Sequence, residues 1–475
     1  MFVQNLFFER SQVILYGIVL MVAMALSSLI PPMQSPDEDS HITRAYLLST
    51  GSVLLQPAPR NADGALEDRA LAAYIARTGK DGRIGGWVDR GLLSFMAGYL
   101  AMAAKPDLRI SATDEDRLAQ LGWANAKAFV FAPGTGYYMP AIYLPQALGL
   151  ALGRGIDLSV ANSYRLARWC TLLACFALLL VAARLMRPAP IVIAIVLLPM
   201  SLFQLLSPTL DGLTTALSVL TISLFLKSAD PGSRHSVASS WCLAACIFLL
   251  ASSRTHLLTL LALPFFLAWQ RQSRRDFYLG CWVSLSTLGW VAFALHSTID
   301  PRIVRDQTTT ELLLQYAAAP LSFFRVVLAS LTDRDLFTFY EQTFVGILGW
   351  LDTRLPAHFY PSLWTGLGLC ALISVSVSTL RKDWRVRLLL VGMALASVAL
   401  IFLAMLVTWT PHPALLVQGV QGRYFVAPMI LLGYAMSGFA AKKCPSHRRF
   451  AGLVLLGFAL CSITALTTTL LTRYH

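Results

Sequence analysis

Three consecutive acidic residues and a histidine lie directly after the first long apolar run of the chain. The run spans residues 13–30, and the segment that follows contains Ser35-Pro36-Asp37-Glu38-Asp39-Ser40-His41. Ionisable groups at the depth of a membrane are costly to hold there and are functional candidates by default. A carboxylate in this segment could act as a general base that takes a proton from a hydroxyl nucleophile. The structural alternative is a helix start, because Ser-Pro-Asp-Glu suits a first helical turn facing the positive end of the dipole.

Further polar side chains lie at the ends of later apolar runs, on the same predicted face as the acidic segment. The candidates for binding a lipid-linked phosphate are His41, Arg44, Arg165, Arg168, Arg254, His256, Gln421 and Arg423. Guanidinium groups bind phosphate oxygens through paired hydrogen bonds and neutralise a departing phosphate. Tyr138, Asp211 and Asp352 are candidates for orienting an acceptor. The structural alternatives are that Arg165 and Arg168 extend to lipid headgroups and that Asp211 caps its helix.

No cofactor is predicted with certainty. A divalent metal ion, Mg²⁺ or Mn²⁺, at Asp37, Asp39 and His41 is one alternative, because carboxylates and imidazole suit these ions. The spacing of the three residues matches no established metal-binding motif. The short basic loops contain no glycine-rich nucleotide-binding loop, so a nucleotide from the cytosol is not expected as a substrate.

The elements that must position these residues are membrane helices. The chain has 475 residues, of which 56% are hydrophobic and only 13% charged, whereas soluble domains carry about 25% charged residues. Because a membrane crossing takes about 20 apolar residues, we predict a single all-α, polytopic domain over residues 1–475 with about eleven spans. The predicted spans lie near residues 13–30, 163–183, 189–206, 211–226, 238–253, 255–269, 277–297, 362–380, 388–409, 424–440 and 451–471.

Most of the net charge of +13 lies in short loops rich in Lys and Arg. With eleven spans these loops share one face, which the positive-inside rule makes cytoplasmic. We therefore predict a cytoplasmic N-terminus, an external C-terminus, and two external loops over residues 31–160 and 298–361, the first carrying short interfacial helices. The apolar segments 138–153 and 343–351 are too short to cross, so they are predicted to be re-entrant or interfacial. Membrane lipids, rather than nucleic acid, account for the basic charge.

Several motifs together resemble a bacterial membrane family of unknown function. They are Pro36-Asp37-Glu38-x-x-His41, Tyr138-x-Pro140-x-x-Tyr143-Leu144-Pro145, Ser207-x-x-x-Asp211, Gly349-Trp350-Leu351-Asp352-Thr353 and Gln421-Gly422-Arg423-Tyr424-Phe425. In order and spacing they are similar to the DUF2142 type of membrane protein, which is related to the GT-C glycosyltransferases. The resemblance implies a GT-C-like helical fold with its active site under the first external loop. It also implies an acidic base, Asp37 or alternatively Glu38, and a sugar donor on a polyprenyl phosphate.

The sequence thus predicts an inverting glycosyltransferase of the bacterial cytoplasmic membrane. It would move a sugar from a polyprenyl-phosphate donor to a surface glycan or lipid on the outer face, as part of cell-envelope polysaccharide biosynthesis. One alternative is a polysaccharide polymerase or ligase, in which the arginines should matter more than the carboxylates. Another is a transporter or flippase of lipid-linked sugars. Transporters bind near the bilayer midplane and often contain repeats, whereas this chain collects its polar groups on one predicted face.

Overall fold

The computed structural model describes residues 10–233, 235–302, 307–375, 383–437 and 445–475. Over these residues the fold is predominantly helical. The helices of the first half are α1 (Arg10–Ser28), α2 (Glu38–Ser49), α3 (Arg69–Thr78), α4 (Arg90–Leu100), α5 (Ala112–Ala119), α6 (Leu144–Gly155), α7 (Val160–Leu185), α8 (Pro190–Val196), α9 (Pro199–Leu205) and α10 (Leu210–Ala229). The helices of the second half are α11 (Val237–Ala251), α12 (Ala262–Arg271), α13 (Arg274–Ser297), α14 (Thr309–Ala318), α15 (Pro320–Thr332), α16 (Arg334–Val345), α17 (Phe359–Ser374), α18 (Trp384–Thr408), α19 (Val426–Ser437) and α20 (Pro445–Tyr474).

The membrane-span candidates are fewer than the sequence predicts. Within the described ranges, five helices are long and apolar enough to cross a membrane, namely α7, α10, α13, α18 and α20. The pair α14 and α15 is a sixth candidate, although the two helices meet at an angle of 101°. Three shorter apolar helical segments, of 10 to 17 residues, lie at 14–28 within α1, at 237–251 and at 359–374. Eleven spans are therefore not confirmed, and the orientation derived from them stays a prediction.

Two of the predicted spans are broken. The run 189–206 forms α8 and α9 rather than one helix. Pro199 begins α9, and a proline lacks the N–H and disfavours a helical conformation in the residue before it. The run 255–269 begins as a 3₁₀ turn, Thr255–Leu261, before α12. The ends of the predicted spans 362–380 and 424–440 lie partly outside the described residues.

Burial separates helices that have the same apolar composition. In the most apolar 18-residue window of α10, 94% of the residues are buried, against 28% in the corresponding windows of α13 and α20. A helix that is apolar on all sides suits either a protein core or a lipid environment. Helix α10 is therefore the centre of the bundle, and the start of this central helix carries one of the candidate residues.

The first long loop contains a small sheet that the sequence did not predict, in addition to its helices. Strands β1 (Gln56–Pro57), β2 (Arg83–Asp89) and β3 (Lys127–Phe131) form an antiparallel sheet with β2 in the centre. A second, two-stranded sheet pairs β4 (Ile347–Leu348) with β5 (Thr353–Arg354). Glycine has a low strand propensity, so Gly85 and Gly86 obscured β2 in the sequence. At Gly85 a Cβ atom would lie 1.9 Å from the Val130 carbonyl oxygen, so the pairing with β3 requires glycine there.

The two short apolar segments adopt different structures. Residues 138–153 contain a 3₁₀ turn and most of α6, which packs closely against the start of α7. A Cβ atom at Gly149 would lie 2.3 Å from the Ala167 Cα atom. Residues 343–351 form the end of α16 and part of the β4–β5 hairpin, and Ile347 and Leu348 are buried. This second segment is therefore part of the protein core and not an interfacial surface.

Candidate functional site

Asp37 is the exposed end of a group of charged residues. It precedes α2 and has a left-handed backbone conformation, with φ 60° and ψ 14°. Its carboxylate makes no side-chain capping bond to α2 and instead accepts a hydrogen bond from Arg423 Nη2 at 3.0 Å. The side chain of Asp37 is 53% exposed, whereas that of Arg423 is 4% exposed. Positive φ in a non-glycine residue is uncommon and clusters at functional sites, so helix capping does not account for Asp37.

The charged residues continue inward from Arg423. Its Nη1 atom donates to Asp211 Oδ2 at 3.2 Å, and the other carboxylate oxygen of Asp211 accepts from Arg254. The Arg254 guanidinium lies 5.2 Å from the centre of the Tyr138 ring. We call Asp37, Arg423, Asp211 and Arg254 the charged chain. Its two carboxylates balance its two guanidinium groups, so these four residues together have no net charge.

Four separate elements position the charged chain. Asp37 precedes α2, Asp211 lies in the first turn of α10, Arg254 follows α11, and Arg423 lies in the 3₁₀ turn Gly422–Phe425. Asp211 binds two arginines there rather than capping its own helix. The turns before α10 and after α11 lie between the predicted spans 189–206 and 211–226 and between 238–253 and 255–269.

Gly422 lets the turn that carries Arg423 pack directly against α16. A Cβ atom at this position would lie 2.1 Å from the Tyr340 carbonyl oxygen and 2.2 Å from the Phe344 nitrogen. The Gly422 N–H donates to Thr343 Oγ1 at 2.7 Å. Backbone contact and a buried hydrogen bond thus hold the base of the Arg423 side chain in place.

A small polar cavity adjoins the charged chain. Its volume is about 20 Å³, enough for about one water molecule. His256, Tyr424 and Gln204 contribute to its lining. Gln204 Nε2 and Arg423 Nε are buried and have no hydrogen-bond partner among the described residues. Gln204 was missed in the sequence, although a polar residue within the apolar run 189–206 is a signal of the right kind.

His41 lies one helical turn after Asp37 and is buried beside two tyrosines. Its Nδ1 atom is 2.8 Å from the Tyr143 hydroxyl, and its ring centre is 6.3 Å from that of Tyr138. Burial lowers the pKa of His41 to about 4, although the nearby carboxylates of Asp37 and Asp211 act in the opposite direction. His41 is therefore neutral at physiological pH and can serve as a hydrogen-bonding group but not as a cation for phosphate.

The acidic residues next to His41 differ in their ionisation. Burial raises the pKa of Asp37, but attraction to Arg423, the hydrogen bond from Arg423, and attraction to His41, which is protonated at the low pH where Asp37 titrates, outweigh this. The pKa of Asp37 therefore lies below its usual value. Burial raises the pKa of Asp39, and nearby Arg302 lowers it in part. Arg302, which was not among the residues predicted from the sequence, also binds Asp300 through hydrogen bonds of 2.8 and 2.6 Å. Asp37 is thus ionised at neutral pH, as a base requires.

Acidification from pH 6.5 to 4 is expected to destabilise the protein through His41. The folded pKa of about 4 lies below the reference value of 6.5. The unfolded chain therefore binds the proton first as the pH falls, and about 3 kcal/mol of stability present above pH 6.5 is lost towards pH 4. Thermal unfolding of the purified protein, followed by tryptophan fluorescence at pH 7 and 4.5, measures this loss. His41→Gln should reduce the difference between the two pH values, and exposed His358→Gln should not. An unchanged difference in His41→Gln would contradict the assignment.

Glu38 and Arg168 form a second buried group, separate from the charged chain. The Glu38 carboxylate accepts hydrogen bonds from the Met33 and Ser35 nitrogens at 3.1 and 3.0 Å and from the Tyr164 hydroxyl. Burial raises the pKa of Glu38, with Arg168 acting in the opposite direction. Arg168 Nη1 donates to the carbonyl oxygens of Ser27 and Ile30 at 2.8 and 2.6 Å. These contacts join the end of α1 to α2 and α7.

Three of the remaining candidates, Arg44, Arg165 and Asp352, also lie apart from the charged chain, and the fourth, Gln421, is close to Arg423 in sequence. Arg44 donates to the carbonyl oxygens of Ser52 and Val53, so backbone groups use donors that a phosphate would need. Arg165 is exposed and donates to Asn162, and Asp352 lies 3.6 Å from Arg473 at the end of α20.

Gln421 precedes the 3₁₀ turn of Arg423, and its Oε1 atom is buried with no partner in the described part of the chain.

The geometry gives no support to the divalent-metal alternative. In the described ranges, no group of three or more His, Cys, Asp or Glu residues is arranged to hold a metal ion. Nδ1 of His41 is engaged with Tyr143, and Asp37 is paired with Arg423. The chemistry of the site is that of carboxylates and guanidinium groups.

The sequence profile of the family described as predicted membrane protein (DUF2142) matches residues 20–433. The match covers most of the chain, so the protein belongs to this family of membrane proteins. All four residues of the charged chain fall within the matched region. Comparison with curated proteins gives no match. The family assignment confirms the membrane class, and the description of the family states no activity.

Proposed function

We propose that this protein is a GT-C-type glycosyltransferase that moves a sugar from a polyprenyl-phosphate donor to a hydroxyl of a surface glycan or lipid. The observation that carries the proposal is the charged chain, in which the exposed carboxylate of Asp37 is bound to the buried guanidinium of Arg423. Asp37 is bound to one arginine, and a second arginine and a small polar cavity lie further along the charged chain. The arrangement combines a base with groups that stabilise a phosphate. The cytoplasmic membrane of a bacterium, with the site facing outward, is the location that the basic loops favour.

The proposed reaction is a single displacement at the anomeric carbon of the donor sugar. Asp37 takes the proton of the acceptor hydroxyl, and the hydroxyl oxygen forms a bond to the anomeric carbon. The bond between that carbon and the phosphate oxygen breaks, and the lipid phosphate leaves with the electron pair. Arg423 and Arg254 stabilise the negative charge of the departing phosphate. Attack opposite the leaving group inverts the configuration of the sugar.

The neutral charge balance determines how a phosphate would bind. The four residues of the charged chain hold no excess positive charge. A phosphate can therefore bind one of the two arginines only by replacing a carboxylate on it. Asp37 is the carboxylate most readily replaced, since it is half exposed while Asp211 is largely buried and bound to both arginines. Without Arg423 the pKa of Asp37 would rise, because burial acts in that direction, and a higher pKa makes Asp37 a stronger base. Donor binding would in this way prepare Asp37 for proton transfer.

A purely structural role of the charged chain is the main alternative to this mechanism. Buried ion pairs are weak evidence for stability, because desolvation offsets much of their attraction. Two features favour chemistry over structure. The charged chain ends in the solvent-exposed carboxylate of Asp37, which has a left-handed backbone conformation. The cavity beside the charged chain is lined in part by polar donors without partners among the described residues.

Mass spectrometry of lipid-linked and surface glycans tests the proposed function. We expect cells that lack the gene to lose one sugar from a glycan and to regain it when the wild-type gene is restored. The sugar donor on its lipid carrier should accumulate in the mutant cells. Accumulation of a complete lipid-linked glycan that fails to reach the surface would instead indicate a flippase. Loss of long chains with every linkage inside the repeating unit still present would indicate a polymerase, and a complete glycan held on its lipid carrier at the outer face would indicate a ligase.

A further inference from the structure

A second and larger cavity lies where the first long loop packs against α2 and α7, away from the charged chain. It is a groove of about 630 Å³, within the range of roughly 300 to 1,000 Å³ that is typical of ligand sites. The end of α2, the segment before β3 and the α6–α7 connection form its walls. We call this cavity the outer groove. No residue predicted from the sequence to act in catalysis or in phosphate binding lines it.

One wall of the outer groove is a fixed aromatic surface. The rings of Tyr46 and Trp123 are stacked, with centres 5.9 Å apart and an angle of 19° between their planes. Trp123 Nε1 donates to the Leu158 carbonyl oxygen at 3.1 Å, which fixes the orientation of the indole. The guanidinium of Arg154 lies 5.4 Å from the centre of the Tyr46 ring and 5.8 Å from that of Trp123. Tyr46 is buried, so it supports the ring of the half-buried Trp123, which is the aromatic surface that the groove presents.

The polar groups of the outer groove are balanced in charge. Lys127 and Arg154 contribute two positive charges, and Asp89 and Asp157 contribute two negative charges. A site for phosphate or another strong anion would carry an excess of positive charge. The balance instead suits an uncharged ligand with many hydroxyl groups, each of which can donate to a carboxylate and accept from a cation or an amide.

Two further observations indicate a ligand site rather than a surface irregularity. The Arg154 Nη1 atom is buried and has no hydrogen-bond partner among the described residues. Asn125 and Asp157, on two different walls of the groove, both have positive φ, at 54° and 55°. Left-handed backbone in non-glycine residues carries strain that is typically retained at functional sites.

We propose that the outer groove binds an uncharged stretch of oligosaccharide. Sugar rings present an apolar face to an aromatic surface and hydroxyl groups to the surrounding polar side chains, and the groove offers both. If the protein is the transferase proposed above, this oligosaccharide is the acceptor, so the assignment as acceptor rests on that proposed function.

Helix α2 connects the outer groove to the charged chain. Asp37 precedes the helix, and Tyr46 lies nine residues further on, which is about 14 Å along the helix axis. A single sugar cannot contact both places, so the proposed ligand is an oligosaccharide. Its end would reach Asp37 while an inner segment lies in the groove.

Binding to an array of immobilised oligosaccharides tests this proposal. The array carries neutral hexose and N-acetylhexosamine oligomers together with oligomers bearing uronate or phosphate. We expect the full-length protein in lipid nanodiscs to bind neutral oligomers, and Trp123→Ala to weaken this binding at least tenfold. Asn125→Asp, which removes an amide donor at an exposed position and retains a residue type that tolerates positive φ, should also weaken it. Trp87→Ala is the matched control, because Trp87 is an exposed tryptophan that does not line the groove.

Binding measured without a sugar donor separates this proposal from the proposed function. Such binding requires no transfer, so it does not depend on whether Asp37 is the base. If the protein has no transferase activity, binding of the oligosaccharides is still expected. Equal binding by the wild type, Trp123→Ala and Asn125→Asp would overturn the assignment of the groove, and so would a preference for anionic oligomers or no binding to any oligomer.

Discussion

Arg423→Met is expected to remove sugar transfer almost completely and to destabilise the protein. Arg423 binds Asp37 and Asp211 through different nitrogen atoms, at 3.0 and 3.2 Å. Removing one member of a buried ion pair typically costs about 3–5 kcal/mol. We expect the lower end of this range, because Asp211 retains Arg254 and Asp37 is exposed. Loss of a group that stabilises developing charge lowers the rate by roughly 10²–10³.

Two further variants separate the chemistry of Arg423 from its structural role. Arg423→Lys keeps the charge, but a lysine cannot reproduce the fork geometry that bridges two carboxylates. It should recover part of the stability and little of the activity. Arg473→Met is the matched control, because Arg473 is also buried and donates to the carbonyl oxygens of Leu108 and Lys105. It should lower stability and leave transfer per folded molecule unchanged.

The measurements are thermal unfolding in nanodiscs and the amount of glycan product in cells that express each variant. Product is normalised to the folded protein recovered from the membrane. If Arg423→Met and Arg473→Met lose transfer to the same extent per folded molecule, Arg423 is a structural residue and its role in the mechanism is wrong.

The sequence allowed the general location of the site to be predicted, because charged residues in an apolar chain are conspicuous. Asp37, Asp211, Arg254 and Arg423 all flank or begin apolar runs, and the structure brings the four together. The turns between the predicted spans 189–206 and 211–226 and between 238–253 and 255–269 were likewise predictable from charge. In each case the signal was a charged or turn-forming group next to a long run without charge, which requires no knowledge of distant contacts.

The roles of individual arginines could not be predicted in the same way. Arg168 and Arg254 both lie near the ends of apolar helices, yet one donates to backbone carbonyl groups and the other to the carboxylate of Asp211. The partner of each arginine comes from a distant part of the chain, and the local sequence contains no record of it. Asp352 was grouped with the site for the same reason, although the structure places it beside Arg473.

The fold was less predictable than its class, since apolar composition does not distinguish protein from lipid. Helices α10 and α20 are both strongly apolar, but α10 is enclosed by other helices and α20 is largely exposed. The number of apolar runs in the sequence is therefore larger than the number of described helices that are long enough to cross a membrane. The strand β2 was missed because its two glycines are explained only by close contact with Val130 and Leu47, which are distant in sequence.

The sequence predicted Asp37 as the base and the neighbouring Glu38 as the alternative, and the structure places the two carboxylates differently. Asp37 is half exposed and is bound to Arg423, whereas Glu38 is fully buried and accepts hydrogen bonds from two backbone nitrogens and Tyr164. We therefore expect Asp37→Asn to fold normally and to lose transfer by roughly 10²–10⁴, the usual contribution of a general base. Asparagine tolerates the left-handed backbone at this position, and a half-exposed ion pair contributes only about 0–1 kcal/mol.

Glu38→Gln should show the opposite behaviour. A glutamine presents an amide group where two N–H donors and a hydroxyl converge, so at least one buried donor loses its acceptor, at a cost of roughly 1–3 kcal/mol. Transfer per folded molecule should remain near that of the wild type, because Glu38 has no exposed surface from which to reach an acceptor. Unfolding temperature and glycan product, measured on the same membrane preparations, separate the two effects. Full transfer by Asp37→Asn, or loss of transfer by a stable Glu38→Gln protein, would show that Asp37 is not the base.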